Sequence, residues 1–436
     1  MPGKKVLIVT YYWPPSGGSG VQRWLRIVKY LKEYGWEPVV YTPENPEYPE
    51  TDTSFLKDIP EGLEIIRQPI WEPYQAYKRI VGLEKEDRIA AGFLTEKKKN
   101  RLAEAVSVWL RGNLFIPDAR CFWIRPSVKY LKHYLRDNEL SAIISNGPPH
   151  SMHLIALALH GQSGIPWLAD FCDPWTSIDF YDMLRLTWLA DKRHHTLEKR
   201  VLSAANVVTV VTPNMADEFK RIVDRKYPVI TNGFDDADLP LLEGVGLDQK
   251  FSIAHIGSLV PGRNPKILWD TLGKMVKSDS QFASHVEIKL VGKTDLSVTE
   301  SIIEAGLEPF LRKINYLPHD EALRETRKSQ VLLLLINQAQ NARGIVTGKL
   351  FEYLAVRRPV LCLGPEDGDA SMILMKTGAG IAVDYNDGVK LENLIGEYYR
   401  KFLNGELIIP DSNISQYTWR HHAGLVAQEL DKLVKP

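Results

Sequence analysis

The chain has 436 residues, 44% of them hydrophobic and 25% charged, with Lys plus Arg (54) equal to Asp plus Glu (54). This is a globular composition in a chain too long for one ordinary core, so two domains are expected, and the balanced charge excludes whole-chain steering towards nucleic acid. Three widely spaced cysteines, Cys121, Cys172 and Cys362, exclude a CxxC cluster and argue against a disulfide framework, which points to a reducing, cytoplasmic compartment.

The opening MPGKKVLIVTYYWPPSGG has a short apolar run closed by Pro-Pro, which reads as a strand rather than a signal peptide. The longest later run, Val331 to Ile336, is far short of the roughly 20 residues that span a bilayer. Continuous apolar runs predict parallel strands at Val6–Thr10, Pro38–Thr42, Leu63–Arg67, Ala142–Asn146, Pro166–Phe171, Val207–Thr212 and Pro228–Thr231. Between the first two, Val21, Trp24, Leu25, Val28 and Leu31 share one face of a helix over 21–34, stopped by Gly35. The loop Tyr11 to Gly20 precedes it. Gly17 and Gly18 there would let a diphosphate approach the backbone at a helix start, or simply make a tight turn. The second predicted strand ends Tyr41-Thr42-Pro43, without the acid that a dinucleotide-binding fold places on a ribose.

A second series starts after the Pro- and Gly-bearing stretch 235–246, with strands expected at Phe251–Gly257, Val286–Gly292, Ile314–Leu317, Val331–Asn337, Pro359–Gly364 and Gly380–Val383. Domains are expected over 1–234 and 235–415, with a final amphipathic helix (416–436) crossing back to the first. After the first strand of the second series come Gly257, Ser258, Leu259 and Arg263, glycines accompanied by a permanent cation that can grip a diphosphate by a bidentate fork. A surface arginine is the plain alternative. Further on, Gly344-Ile345-Val346-Thr347-Gly348 opens a helix carrying Lys349 and, three residues later on the same side, Glu352. Helix-start N–H groups and Lys349 suit phosphates, and a carboxylate at Glu352 suits ribose hydroxyls. An ordinary i, i+3 pair is the alternative.

Taken together, Gly257-x-Leu259 with Arg263, and Glu352-Tyr353-Leu354-Ala355 running to Pro359-Val360, resemble the motifs of retaining glycosyltransferases of the GT-B fold, the family-four type. The resemblance spans the chain and includes Asn232-Gly233-Phe234-Asp235 at the hinge. It implies two Rossmann-like α/β domains with parallel sheets facing across a cleft, and a UDP- or GDP-linked sugar as donor with no cofactor or metal. The implied donor-binding residues are Gly17, Gly18, Gly257, Ser258, Arg263, Val346, Thr347, Gly348, Lys349 and Glu352, and the implied acceptor is a glycan or glycolipid. The sequence departs from the family where Gly344 replaces the earlier acid of the Glu pair, which helps place the donor sugar, and where Ser258 replaces an arginine. Lys349 and Arg263 would then share the diphosphate charge.

The resemblance also places Asp170-Phe171-Cys172-Asp173-Pro174-Trp175 against the reacting sugar, so Asp173 joins Lys349 and Arg263 as a catalytic candidate. Its alternative is to cap a following helix. His150, His153 and Trp175 are acceptor-side candidates, although His153, among Leu154, Ile155 and Leu157, also reads as a core histidine. Basic residues beside Trp and Leu, in Lys97 to Ile124 and Met183 to Leu202, suit an anionic membrane surface, and the region 74–130 is the expected acceptor side. A nucleotide-sugar epimerase of the same shape, or a binding-only relative weakened at Gly344, are the rival functions.

Overall fold

The computed structural model describes residues 4–48, 50–73, 101–410 and 412–434, with backbone alone for residues 19 and 101–107. Lys97 to Asn100, with the rest of 74–100, lie outside the described residues. The chain forms two compact units, residues 1–231 with 419–436 and residues 232–418.

The first unit is built on a parallel sheet of β1 (Lys4–Val9), β2 (Trp36–Pro43), β3 (Glu64–Gln68), β4 (Ala142–Gly147), β5 (Trp167–Phe171) and β6 (Val207–Val210), in the order β3-β2-β1-β4-β5-β6. Every residue of β4 and β5 is buried, as expected where helices cover both faces of a sheet. Alternation along β1 splits the core: Leu7 and Val9 pack with Ile143, Met152 and Trp167, whereas Val6 and Ile8 pack with Trp24, Leu25 and Val28. The second layer is completed by the last helix, Trp419–Leu433, through Trp419, Val426 and Leu430. Its approach is so close that a Cβ at Gly424 would lie 2.9 Å from the Tyr34 ring. Asp431 fixes its far end by accepting from Lys4 Nζ (2.7 Å) and Trp36 Nε1 (3.2 Å).

A buried ion pair ties this unit together. Arg23, on the helix Ser19–Leu31, donates from Nε and Nη2 to both oxygens of Asp170 at 2.8 Å. Thr209 Oγ1 (2.7 Å) and Trp24 Nε1 (2.9 Å) donate to the same carboxylate. Burial alone would push this carboxyl up, but the Arg23 charge and these hydrogen bonds hold it below the ordinary carboxylate range. Arg23 also explains a difference from the sequence reading. The stretch expected as a strand at Pro228–Thr231 makes only an isolated bridge, Val229 to Val210, because Arg23 takes the carbonyls of Ile230 (3.0 Å) and Thr231 (2.9 Å).

The second unit repeats the topology with β7 (Phe251–Ile256), β8 (Val286–Val291), β9 (Leu311–Ile314), β10 (Val331–Leu335), β11 (Val360–Leu363) and β12 (Gly380–Val383), in the order β12-β11-β10-β7-β8-β9. β9 lies three residues before the expected Ile314–Leu317. Its neighbour β8 pairs Val291 with Ile314 and then turns away at Gly292 (φ 110), so residues 315–317 have no strand to join. β9 is an edge strand whose Arg312 and Lys313 face solvent, a charged edge that hides its signal from an apolar-run reading.

Asp170→Asn keeps the shape but leaves Arg23 as a buried, uncompensated charge. Denaturant unfolding should show a loss of about 3 kcal/mol or more. The Asp170 contribution should be present above the unfolded carboxyl pKa and fade as pH falls through the lower folded value, so the gap between wild type and variant should narrow in acid.

Candidate functional site

The stretch Gly344 to Pro359 folds as its residue types require. Thr347 is extended and precedes the helix Gly348–Val356, whose Leu350, Phe351 and Leu354 are fully buried. Arg357 ends it in the left-handed conformation (φ 53). The next residue, Arg358, is buried and donates to the carbonyls of Ser329 (3.0 Å) and Gln330 (2.9 Å), just ahead of β10. Burial lowers this guanidinium to about 10, with Arg327 adding to the effect. Tyr353 pins the helix from the other side: its hydroxyl accepts from Ile256 N–H at 3.4 Å and donates to Leu333 O at 3.5 Å. The middle and the C-terminal end of this helix are therefore fastened to β7 and β10, and the side chains of its first turn are delivered to the carboxyl edge of the sheet.

Lys349 is the side chain so delivered. Half-buried, it reaches back until Nζ lies 3.3 Å from Nε2 of His255, and it passes over Gly257. A Cβ at Gly257 would fall 2.6 Å from Nζ and 2.7 Å from Cε, so any other residue would push the end of this lysine aside, besides straining the backbone at φ 111. Gly257 (φ 111) sits against Gly292 (φ 110), where a Cβ would lie 3.0 Å from the Gly257 carbonyl carbon. Two neighbouring strand ends thus present bare backbone. Burial, then repulsion by Arg263, lowers the Lys349 ammonium to about 8, with Glu352 opposing. Arg263 closes a short helical turn, Pro261–Arg263, and its Nε donates to Asn337 Oδ1 at 2.5 Å. Nearby, the buried Thr347 Oγ1 and Asn341 Oδ1 have no hydrogen-bond partner. Two cations, bare backbone, a helix N-terminus and the unpaired Thr347 hydroxyl suit an anion, while the Asn341 oxygen can only accept and adds nothing to it. The loop carrying Gly344 borders a cavity of about 540 Å³ whose wall includes Arg343 and the carboxylates of Glu366, Asp367 and Asp384.

The second unit therefore gathers Gly257, Ser258, Arg263, Val346, Thr347, Gly348, Lys349 and Glu352 at one sheet edge. Gly17 and Gly18 belong to the first unit. There the Gly17 N–H donates to Glu50 O (2.9 Å), and Asp52 N–H donates to Pro15 O (2.8 Å), stitching the loop to a neighbouring segment. Gly18 (φ 81) is the N-cap residue of the helix Ser19–Leu31. The Gly17 N–H is consumed by the fold.

The first-unit candidates group at the ends of β4 and β5. The His150 ring stacks on Trp175 at 4.6 Å with planes 1° apart, and both are buried. Trp175 Nε1 donates to His194 Nδ1 at 3.0 Å. His153 is fully buried, stacks on Phe171 (4.2 Å) and has Nδ1 2.8 Å from Ser145 Oγ. Trp167 Nε1 donates to that same Oγ, which leaves the hydroxyl proton for His153 Nδ1. Burial lowers His153 to about 3, so it is a neutral core histidine out of reach of an acceptor. Asp173 caps nothing, since the next helical element begins at Tyr181. It stays open to solvent, yet the protein crowded around it, and Asp179 after that, push its carboxyl up to about 6.

Sequence reasoning missed His255, Asn337 and Gly292. Only Gly292 left a signal, as the glycine closing a predicted strand. Among the described residues there is no group of three or more His, Cys, Asp or Glu side chains that could hold a metal, and no helix long and apolar enough to cross a membrane.

No protein-family model matches the sequence, and no curated protein is similar to it in sequence. Solved structures do match its fold over nearly the whole chain. A glycosyltransferase from Rickettsia africae is 12% identical, with a TM-score of 0.64 and 100% of both chains covered. WaaG, a glycosyltransferase involved in lipopolysaccharide biosynthesis, is 11% identical, with a TM-score of 0.54 and coverage of 99% of this chain and 100% of that one. A putative UDP-N-acetylglucosamine 2-epimerase from Listeria monocytogenes is 10% identical, with a TM-score of 0.56 and coverage of 99% and 96%. The two parallel six-stranded sheets with flanking helices are those of the GT-B fold.

Lys349 should react with a small amine reagent with a midpoint near pH 8, well below the 10.4 of a free lysine. Competitive labelling read by mass spectrometry measures this. Gly257→Ala should move the midpoint by forcing the ammonium off its seat, and an unchanged midpoint would contradict the placement.

Proposed function

We propose that this chain is a retaining glycosyltransferase, moving a sugar from a UDP- or GDP-linked donor to a glycan or lipid-linked glycan in the assembly of a cell-surface polysaccharide. The observation that carries this reading is Lys349 lying on the bare backbone of Gly257, with Arg263 within electrostatic reach. Bringing two cations together in a partly buried place costs free energy that a bound diphosphate returns. Glu352, one turn along the same helix, takes the ribose hydroxyls. The GT-B fold supports the assignment, and the role of WaaG in lipopolysaccharide biosynthesis favours an acceptor of the cell-surface glycan class.

In this reading the chemistry asks for positioning and charge rather than a strong base. The bond from the anomeric carbon to the diphosphate breaks, and the acceptor oxygen attacks on the same face. The departing diphosphate oxygen accepts the acceptor's proton. Lys349 and Arg263 meet the charge that grows on the leaving group, and no metal or other cofactor is assigned. Asp173 faces the developing positive charge or orients the acceptor hydroxyl, and His150 with Trp175 forms part of the acceptor side. An epimerase is the rival reading, favoured by the fold shared with the Listeria protein. It would convert the nucleotide sugar with no acceptor present.

The cytoplasmic protein binds peripherally at the inner face of the membrane. Trp109 (41% exposed), Leu114 (60%), Met183 (71%), Trp188 (70%) and Leu189 (70%) project into solvent. They are held together where Asn113 Nδ2 donates to Arg185 O (3.3 Å) and Thr187 N–H donates to Asn113 Oδ1 (2.6 Å). Exposed Arg111, Arg185, Lys192 and Arg193 share these segments and outnumber the acids Asp182 and Asp191 there. Protruding Trp and Leu within a basic rim suit insertion among anionic headgroups.

A screen of nucleotides and nucleotide sugars by thermal unfolding tests the donor site. A ligand at 100 times its Kd should add about 2.7 kcal/mol, and Lys349→Ala or Glu352→Ala should remove the gain. No stabilisation by any nucleoside diphosphate would end the proposal. Asp173→Asn should lower kcat roughly 100-fold with donor affinity kept. Flotation with vesicles containing phosphatidylglycerol tests the surface: wild type should float, and the Trp188→Ala, Leu189→Ala double variant should not. Equal behaviour of the two would contradict it.

A further inference from the structure

We propose that His255 is the positioning residue that holds the Lys349 ammonium over Gly257, so that the charge meeting the donor's diphosphate is in place before the donor arrives. The inference rests on the donor-site reading above and names how that site is set.

The hydrogen bonds assign the tautomer. His255 Nδ1 lies 3.2 Å from Leu333 O, and a carbonyl oxygen can only accept, so Nδ1 carries the proton. Nε2 therefore presents a lone pair. The atom 3.3 Å from it is Lys349 Nζ, and an ammonium can only donate. Donor and acceptor match at both nitrogens in this tautomer, and the Ser258 backbone is a further polar neighbour of the ring. With the lone pair on Nδ1, Leu333 O and Nδ1 would face each other without a proton, and Nε2–H would point at a cation. Doubly protonated imidazole would set two cations together, and burial, then Lys349, holds His255 neutral, well below the usual histidine range.

The backbone supplies the aim. Residues i and i+2 of a strand share a face, so His255 and Gly257 at the end of β7 project to the side from which Lys349 arrives. Leu333, in β10, orients the ring, the ring orients the ammonium, and the missing side chain at Gly257 leaves room for it. A long lysine stem at a helix start is otherwise free to reach for water, and a buried acceptor removes that freedom in advance. A histidine conserving only packing would have no use for an unprotonated Nε2 beneath a lysine. His255 touches neither diphosphate nor sugar; it acts through Lys349.

The test is a double-mutant cycle read by titration calorimetry, using UDP and uridine, and GDP and guanosine, as probes. His255→Leu should weaken binding of whichever diphosphate the wild type takes by about tenfold, with its nucleoside unaffected. Lys349→Met should lose at least as much, and adding His255→Leu to it should change nothing further, because the histidine acts only through the lysine. His255→Gln, whose amide oxygen can stand near the Nε2 position, should recover most of the affinity, which also answers a His255→Leu chain that folds poorly. Losses that multiply in the double variant would overturn the inference. So would equal loss of nucleoside and diphosphate, or an unchanged diphosphate affinity in His255→Leu. A wild type that binds neither UDP nor GDP would instead bring down the donor-site reading, and this inference with it.

Discussion

The second unit is organised around one close approach, a lysine ammonium lying over backbone that carries no side chain. Everything near it is arranged to allow that contact. Gly257 and Gly292 take left-handed or related positive-φ backbone at adjacent strand ends, and each would collide with its neighbour if it carried a Cβ. Tyr353 and Arg358 bind the helix Gly348–Val356 to the strands on either side, so Lys349 has a fixed origin. The motif residues around Glu352 are therefore mostly anchors, and only the first turn of the helix is left to meet a ligand. A parallel sheet puts such a turn at its carboxyl edge by topology, which is why the site lies there.

The first unit shares the strand order but treats the corresponding loop differently. After β1 the chain packs Tyr11 and Trp13 into the core and stitches Gly17 to Glu50, so the glycines serve a turn. Its deepest charges, Arg23 and Asp170, satisfy one another rather than a ligand, and Arg23 has a second task in holding the carbonyls of 230 and 231. Of its chemistry-bearing residues, Asp173 is left open to solvent, while the His150–Trp175 stack is buried. One topology, filled with different side chains, gives an anion seat in one unit and an aromatic and carboxylate group in the other. Strand order alone therefore does not decide what either unit does.

The sheet strands were legible because both faces are covered, and a run such as VLLLL or AIISN admits little else. Where a strand lies at an edge, as at Leu311–Ile314, charged residues replace the apolar run and the signal moves. Where a side chain substitutes for a ladder, as Arg23 does beyond Pro228, an apolar run misleads. The glycine-bearing loop after β7 and the helix start at Gly348 were legible through glycine beside Arg263 and Lys349. His255 was not, because nothing in an isolated FSIAHIG says which of its atoms will meet a lysine 94 positions away. Asp173 was ambiguous for a related reason: a pre-proline acid caps a helix in many chains, and only the structure shows that no helix follows.

The central claim is that Lys349, poised near pH 8, supplies charge to a diphosphate. Calorimetric titration of UDP and GDP at pH 7.5 and at pH 9.5, each referred to uridine or guanosine at the same pH so that ionisation of the base cancels, measures it most directly, since the phosphates are ionised at both values while the lysine changes state. The account expects one of the two to bind clearly more tightly at pH 7.5, and the difference to vanish in Lys349→Met. Binding that is equal at both values in the wild type, or that strengthens at pH 9.5, would contradict it.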